Sequence, residues 1–273
     1  MGCLPQSGKC ERQRTDPFVN HVNDVEGSQY VHELCLDQHI RHKPQPEVLY
    51  TDHRTNAVMT IERKNFSWPL DYAKQHNFEH MAIDQIRAVL GAVCDDAPFE
   101  LTFTTRPNLG IARLARFTTK LGNQIIRNID RLYPGQEIEI EDDDGRWRFR
   151  LQKDEERDYW EPASGLIVRL PTHRTNDLDN PKEIPQPLLD QIARTFTACV
   201  AKFAEYPQAR NILLIECFGE LLLCGEWWWK FALRKVAPPQ EIDEIWKAYY
   251  GDLTEEVEGW WFEKIHTNSS GAL

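Results

Sequence analysis

Two β-rich runs, residues 46–52 and 57–64, flank four turn-favouring polar residues, His53, Arg54, Thr55 and Asn56. That pattern specifies a β-hairpin. With Asp52 paired to Ala57, antiparallel register sets Val48 opposite Ile61 and Tyr50 opposite Met59 on one face. On the other face the same register sets Glu47 opposite Glu62, with Lys64 on their side of the sheet. Directly opposed like charges destabilise a hairpin unless something positive sits between them, so the pair asks for a cation. A divalent metal ion is the natural candidate.

A chain of 273 residues, 41% hydrophobic and with nine Trp, has the means to bury a full core. Its formal net charge of -11 argues against a protein that coats nucleic acid without specificity. The charge is unevenly spread: residues 1–135 hold 16 basic and 16 acidic residues, the remainder 16 and 27. Seven scattered Cys read as reduced thiols, which places the protein in the cytoplasm. Gln6 stands where a myristoylation signal needs Ser or Thr, and the apolar run 212–233 is broken by Glu216, Glu220, Glu226 and Lys230. No membrane-spanning helix is therefore expected.

Residues 1–27 mix Pro, Gly, Ser and charge without periodicity and read as a flexible N-terminal tail, in which Cys3 and Cys10 have no assigned role. Residues 28–273 are expected to form a single α/β domain. Its first element is a helix from Ser28, a capping residue, to Lys43 before Pro44, carrying Glu33. After the hairpin come a helix over 71–94 and an alternating strand at 99–104. From Asn108 to Tyr133 a helix carries Leu114, Phe117, Leu121, Ile125 and Leu132 on one stripe, and Arg113, Arg116, Lys120, Arg127 and Arg131 on another. Five like charges gathered on one stripe make it a candidate phosphate-tracking ridge.

Residues 137–151 form a second hairpin, in which Glu139 faces Arg150, Glu141 faces Arg148 and Asp143 faces Arg146. Every pair is complementary, so this hairpin needs no ligand. Residues 166–170 are a strand, 180–187 a Pro-rich linker and 188–206 an amphipathic helix. The continuous apolar run 212–218 marks a strand covered on both faces. The extension 108–180 and the aromatic-rich segment 186–265 would enlarge or flank the same sheet.

Glu33, Pro46-Glu47 at a strand start and Glu62-Arg63-Lys64 ending the partner strand resemble the PD-(D/E)xK nuclease superfamily over roughly residues 28–105. The resemblance implies a restriction-endonuclease-like core, a mixed sheet flanked by helices in the succession helix, hairpin, helix, strand. It implies Glu47 and Glu62 as metal ligands, Lys64 as the lysine of the signature and Glu33 as the acid of the first helix; Asp52 is a further candidate metal ligand and auxiliary acid. Glu47 departs from the family, which usually has Asp there. Hard carboxylate oxygens suit Mg²⁺, and the implied activity is hydrolysis of phosphodiester bonds in DNA or RNA.

A competing motif, His76-x-x-Glu79-His80, matches the inverted zinc signature of pitrilysin-like metalloproteases, with two His one helical turn apart for Zn²⁺ and Glu79 as general base. A third reading keeps the nuclease-like fold but makes it a non-catalytic platform for nucleic acid or a protein partner. Homo-oligomerisation is left open by the sequence.

Overall fold

In a computed structural model of the chain, the residues described are 12–36, 43–72, 99–103, 135–141, 148–153, 166–169, 183–252 and 258–268, with shorter pieces between 77 and 133 and at 178 and 180. Where one domain is expected over 28–273, the chain divides into two compact units, residues 1–72 with 174–273, and residues 73–173. The second unit is an insertion between two halves of the first. The cause is a pairing between strands distant in sequence, which sequence periodicity does not report.

The first unit is built on a mixed six-stranded sheet in the order β1-β2-β3-β8-β9-β10. β1 (Tyr30–Cys35), β2 (Val48–Asp52) and β3 (Ala57–Trp68) form an antiparallel meander. β8 (Arg210–Gly219) lies parallel to β3, β9 (Glu244–Asp252) parallel to β8, and β10 (Glu258–Thr267) closes the sheet antiparallel to β9. Parallel neighbours need crossovers. α2 (Gln186–Phe203) precedes β8, and a 3₁₀ turn at Glu220–Leu223 with α3 (Glu226–Lys235) leads from β8 to β9. Both helices pack on one face, as crossovers of one hand require when parallel strands are added in one direction.

Alternation along the strands decides what each face meets. Met59 and Ile61 of β3, with Ile212 and Leu214 of β8, point to one side and pack with Val48, Tyr50 and Trp246. Phe66, Trp68, Leu213, Ile215 and Cys217 point to the other, against Leu188, Ile192, Phe196, Cys199 and Phe203 of α2 and against Trp228 and Trp229 of α3. The three consecutive tryptophans divide as a helix demands: Trp228 and Trp229 are buried and Trp227 is exposed. No helix among the described residues is long and apolar enough to cross a membrane.

Two N-terminal expectations are overturned. Residues 12–26, expected as tail, form α1 (Arg12–Glu26), whose Phe18, Val19 and Val22 are buried against the Met59 and Ile61 face. The segment is polar and contains Pro17, so its helicity rests on this packing and not on propensity. Residues 30–35, expected as helix, are β1. The Asn23 side chain accepts from the Tyr30 amide at 2.8 Å and donates to the Tyr30 carbonyl at 3.0 Å, while Asp52 Oδ2 accepts from the Gln29 amide at 3.1 Å. These bonds commit the chain to an extended path beside β2, where a helix would have to break them.

A four-charge network fastens α1 to the sheet. Arg210 donates to both oxygens of Glu26, at 2.6 and 2.7 Å, and to Glu244 at 2.8 and 2.9 Å, with Lys264 Nζ 3.3 Å from Glu244. The Arg210 hydrogen bond, opposed by burial, holds the Glu26 carboxyl below the usual carboxylate range.

In the second unit β5 (Glu137–Glu141), β6 (Arg148–Lys153), β4 (Phe99–Phe103) and β7 (Leu166–Arg169) form a four-stranded sheet in that order. The β5–β6 register pairs Glu139 with Arg150 and Glu141 with Arg148, as charge complementarity predicts; Asp143 and Arg146 lie outside the described residues. Leu101 and Leu151 are fully buried in this unit.

Phe18 is 0% exposed in the core beneath α1. We predict that Phe18→Ala lowers unfolding free energy by about 3–4 kcal/mol, measured by urea denaturation. A flexible tail would give no change.

Candidate functional site

The predicted hairpin register is found: Val48 pairs with Ile61, Tyr50 with Met59 and Asp52 with Ala57. The ladder then stops. Beyond Val48 the Glu47 amide donates to the Ile61 carbonyl at 3.0 Å, and Glu47 Oε2 accepts from the Arg63 amide at 3.3 Å. Glu47 and Glu62 are therefore not a cross-strand pair, because the chain turns into β2 one residue too late to extend the register. The local fixation is tight on both sides: the Leu36 amide donates to the Glu47 carbonyl at 2.9 Å, and Tyr206 Oη, just past α2, bonds to buried Gln45 Oε1 at 2.6 Å.

Glu62 and Lys64, two residues apart, share the face of β3 that α2 covers. Glu62 is 0% exposed. Its Oε1 takes ammonium groups from two directions, Lys64 on the same strand and Lys202 from the last turn of α2, the latter at 2.6 Å. Its Oε2 is buried with no hydrogen-bond partner among the described residues. A buried ionised carboxylate with one oxygen doubly paired and the other orphaned is half satisfied, an uncommon and costly state for a purely structural group.

The surrounding charges are placed consistently. Burial works against the charge of Lys64, but the Glu62 carboxylate, with a smaller contribution from Glu47, outweighs it and raises the Lys64 pKa. On the opposite face of β3, Arg63 donates to buried Glu216 at 2.7 Å and to Asn65 at 3.2 Å, with its Nε 3.9 Å from Glu47 Oε2. Cys199, one turn before Lys202 on α2, is fully buried, and burial together with Glu62 pushes its thiol up to about 12. At neutral pH it is protonated and unsuited to nucleophilic chemistry.

Two predicted acids stand elsewhere. Asp52 closes the hairpin turn, accepting from the Arg54 amide at 2.8 Å and from Gln29, and these backbone bonds lower its pKa. Five residues of strand at about 3.3 Å each set it some 16 Å from Glu47, too far to share one ion. Glu33 sits at the irregularity of β1 between His32 and Leu34, is exposed, and lies 3.2 Å from His53 Nε2. The strand that replaces the expected helix carries it away from Glu62. His76, Glu79 and His80, like Arg113, Arg116, Cys3 and Cys10, lie outside the described residues. Lys120, Arg127 and Arg131 are exposed in the second unit.

Lys202 and Cys199 escape sequence reasoning. Their signal is faint: an amphipathic helix with one basic residue a turn from its apolar stripe. No protein-family model, curated protein or solved structure matches the chain.

Among the described residues no group of three or more His, Cys, Asp or Glu is placed to hold a metal ion. Mg²⁺ takes as few as one or two protein carboxylates and keeps several waters; Glu62 offers one buried oxygen without a donor, and the Glu47 carboxylate is engaged by the Arg63 amide. A structural zinc site needs four protein ligands, which the described residues around Glu62 do not supply.

Because the folded pKa of Lys64 lies above its ordinary value of 10.5, the stability it contributes is full below that value and is lost as pH rises through the folded pKa. We predict that the stability difference between wild type and Lys64→Met, followed by urea denaturation, is constant near neutrality and shrinks above about pH 10.5. A difference that persists unchanged into strong alkali would refute the ion pair.

Proposed function

We propose that the protein is a metal-dependent nuclease that hydrolyses phosphodiester bonds, with its site at Glu47, Glu62 and Lys64. The observation that carries this reading is the buried Glu62-x-Lys64 pair on a central strand, with Glu62 Oε2 unpartnered, beside a second carboxylate at the entrance of the neighbouring strand. The coarse setting is a mixed six-stranded sheet with helices packed on it, although residues 30–35, expected as the first helix of the succession, are strand β1.

Glu62 and Glu47 would hold Mg²⁺, which when bound supplies Lewis acidity and an activated water. Lys64, 32% exposed beside the buried carboxylate, reaches the solvent side of the site. There its ammonium orients the attacking water and offsets charge that develops on the phosphate oxygens. Glu47, anchored by the Arg63 amide, keeps the second carboxylate at a fixed place and limits the side-chain entropy lost on metal binding. Lys120, Arg127 and Arg131 give the second unit its own exposed basic surface for the nucleic-acid backbone.

The test is cleavage of plasmid DNA, single-stranded DNA and RNA in Mg²⁺ or Mn²⁺. We predict that Lys64→Ala lowers the rate by roughly 10²–10³-fold or more while the circular dichroism spectrum is retained. Wild-type protein that binds nucleic acid yet cleaves none of these substrates would shift the reading to a non-catalytic interaction module.

A further inference from the structure

We infer that Lys64 and Lys202 together form an oxyanion site, a two-lysine clamp that holds a phosphate group without any metal ion. The inference deepens the proposed reading by naming what meets the substrate phosphate, and it rests on that reading for the class of ligand. Both ammonium groups engage the same oxygen, Glu62 Oε1, Lys202 from 2.6 Å. Two donors at hydrogen-bond distance from one oxygen stand no more than about 6 Å apart. An ammonium group carries three donors, of which Glu62 takes one from each lysine. Neither lysine has another hydrogen-bond or ion-pair partner among the described residues, so each keeps two donors for a ligand.

Burial sorts the cluster into a floor and a rim. Glu62 has no exposure while the Lys64 and Lys202 side chains are 32% and 23% exposed, so the lysines and not the carboxylate meet solvent. In direct contact there are two ammonium groups to one carboxylate. The nearby acids are engaged elsewhere: Glu47 accepts from the Arg63 amide and lies 3.9 Å from the Arg63 Nε, and Glu205, just past Lys202, lies 3.5 Å from Lys43. Two ammonium groups held side by side repel each other, and an anion that bridges them relieves the repulsion while it accepts the spare donors. One positive charge in excess at the rim matches the single negative charge of a phosphodiester. Glu62 is then a positioning residue: its buried oxygen pins both lysine side chains, which limits the conformational entropy lost when the anion arrives. A purely structural clamp of α2 on β3 would be indifferent to phosphate.

Binding is measured on the full chain in EDTA, so that no metal contributes, with two probes: inorganic phosphate and a short single-stranded DNA oligonucleotide. Lys202→Gln and Lys64→Gln are each expected to weaken binding about tenfold. Each should also make the slope of log affinity against log salt for the oligonucleotide shallower by about 0.7, while Lys202→Arg retains both affinity and slope. A second measurement needs no variant: in wild type the bound probe should protect Lys64 and Lys202 together from acetylation, read by mass spectrometry. Protection and loss of affinity with the oligonucleotide assign the clamp to a phosphodiester. The same effects with inorganic phosphate alone assign it to free phosphate and count against the nuclease reading. If neither probe protects the two lysines, or folded glutamine variants bind both probes as wild type does, the clamp is overturned, and cleavage by wild type in Mg²⁺ would still uphold the nuclease reading. A protein that binds the oligonucleotide through both lysines yet cleaves nothing leaves the clamp standing and overturns the nuclease.

Discussion

The Glu62 carboxylate, withdrawn completely from water in the middle of β3, is the constraint around which the first unit is arranged. An ion in that position is tolerated only with opposite charge at hydrogen-bond distance. One counter-charge comes from the strand itself, two residues on, and needs no long-range organisation. The other comes from Lys202, 140 residues away, and reaches Glu62 only because α2 lies across the sheet with its last turn over β3. The apolar contacts of Phe196, Cys199 and Phe203 with Phe66 and Ile215 hold α2 there. Hydrophobic burial sets the helix, and the helix delivers the charge.

The hairpin was legible because its two determinants are local. Period-two alternation assigns Val48, Tyr50, Met59 and Ile61 to one face, and the four polar residues between the strands fix the loop, so register follows from counting. The same holds for Glu139 and Arg150 in the second unit. β1 was not legible, because Tyr30, Val31, Leu34 and Ile40 satisfy a helical spacing as readily as a strand. What decides is the Asn23 side chain and Asp52, whose bonds to residues 29 and 30 exist only once α1 and the hairpin are in place. α1 itself has a short apolar stripe in a polar context, and such a helix is visible only from the surface it covers.

Of the candidate site, Glu62 and Lys64 could be paired by reasoning within one strand, since residues two apart share a face. Glu47 stands at the strand entrance, as the sequence predicts, but outside the ladder. Extrapolating register past Val48 assumed a continuing strand, whereas the Glu47 amide turns to the Ile61 carbonyl. Glu33 and Asp52 follow the expected order along the chain, and order does not measure distance: one lies beside His53 and the other closes the hairpin turn. Lys202 could not be found at all without the crossover that the insertion 73–173 hides.

Two charge clusters of the first unit, around Arg210 and around Glu62, differ in how fully their hydrogen bonds close. Around Arg210, two cations and two carboxylates interlock: both Glu26 oxygens and both Glu244 oxygens are engaged, and Trp246 Nε1 adds a further bond to Glu244 at 2.7 Å. Charge and hydrogen bonds close together, so nothing is asked of a ligand. Around Glu62 the count of charges is also balanced once Glu47 is included, yet the hydrogen bonds are not, since both lysines crowd one oxygen and leave the other bare. A cluster selected for stability alone would distribute its donors over both oxygens, as Arg210 does with Glu26. The Glu62 cluster thus differs from the Arg210 network by one buried carboxylate oxygen without a donor among the described residues.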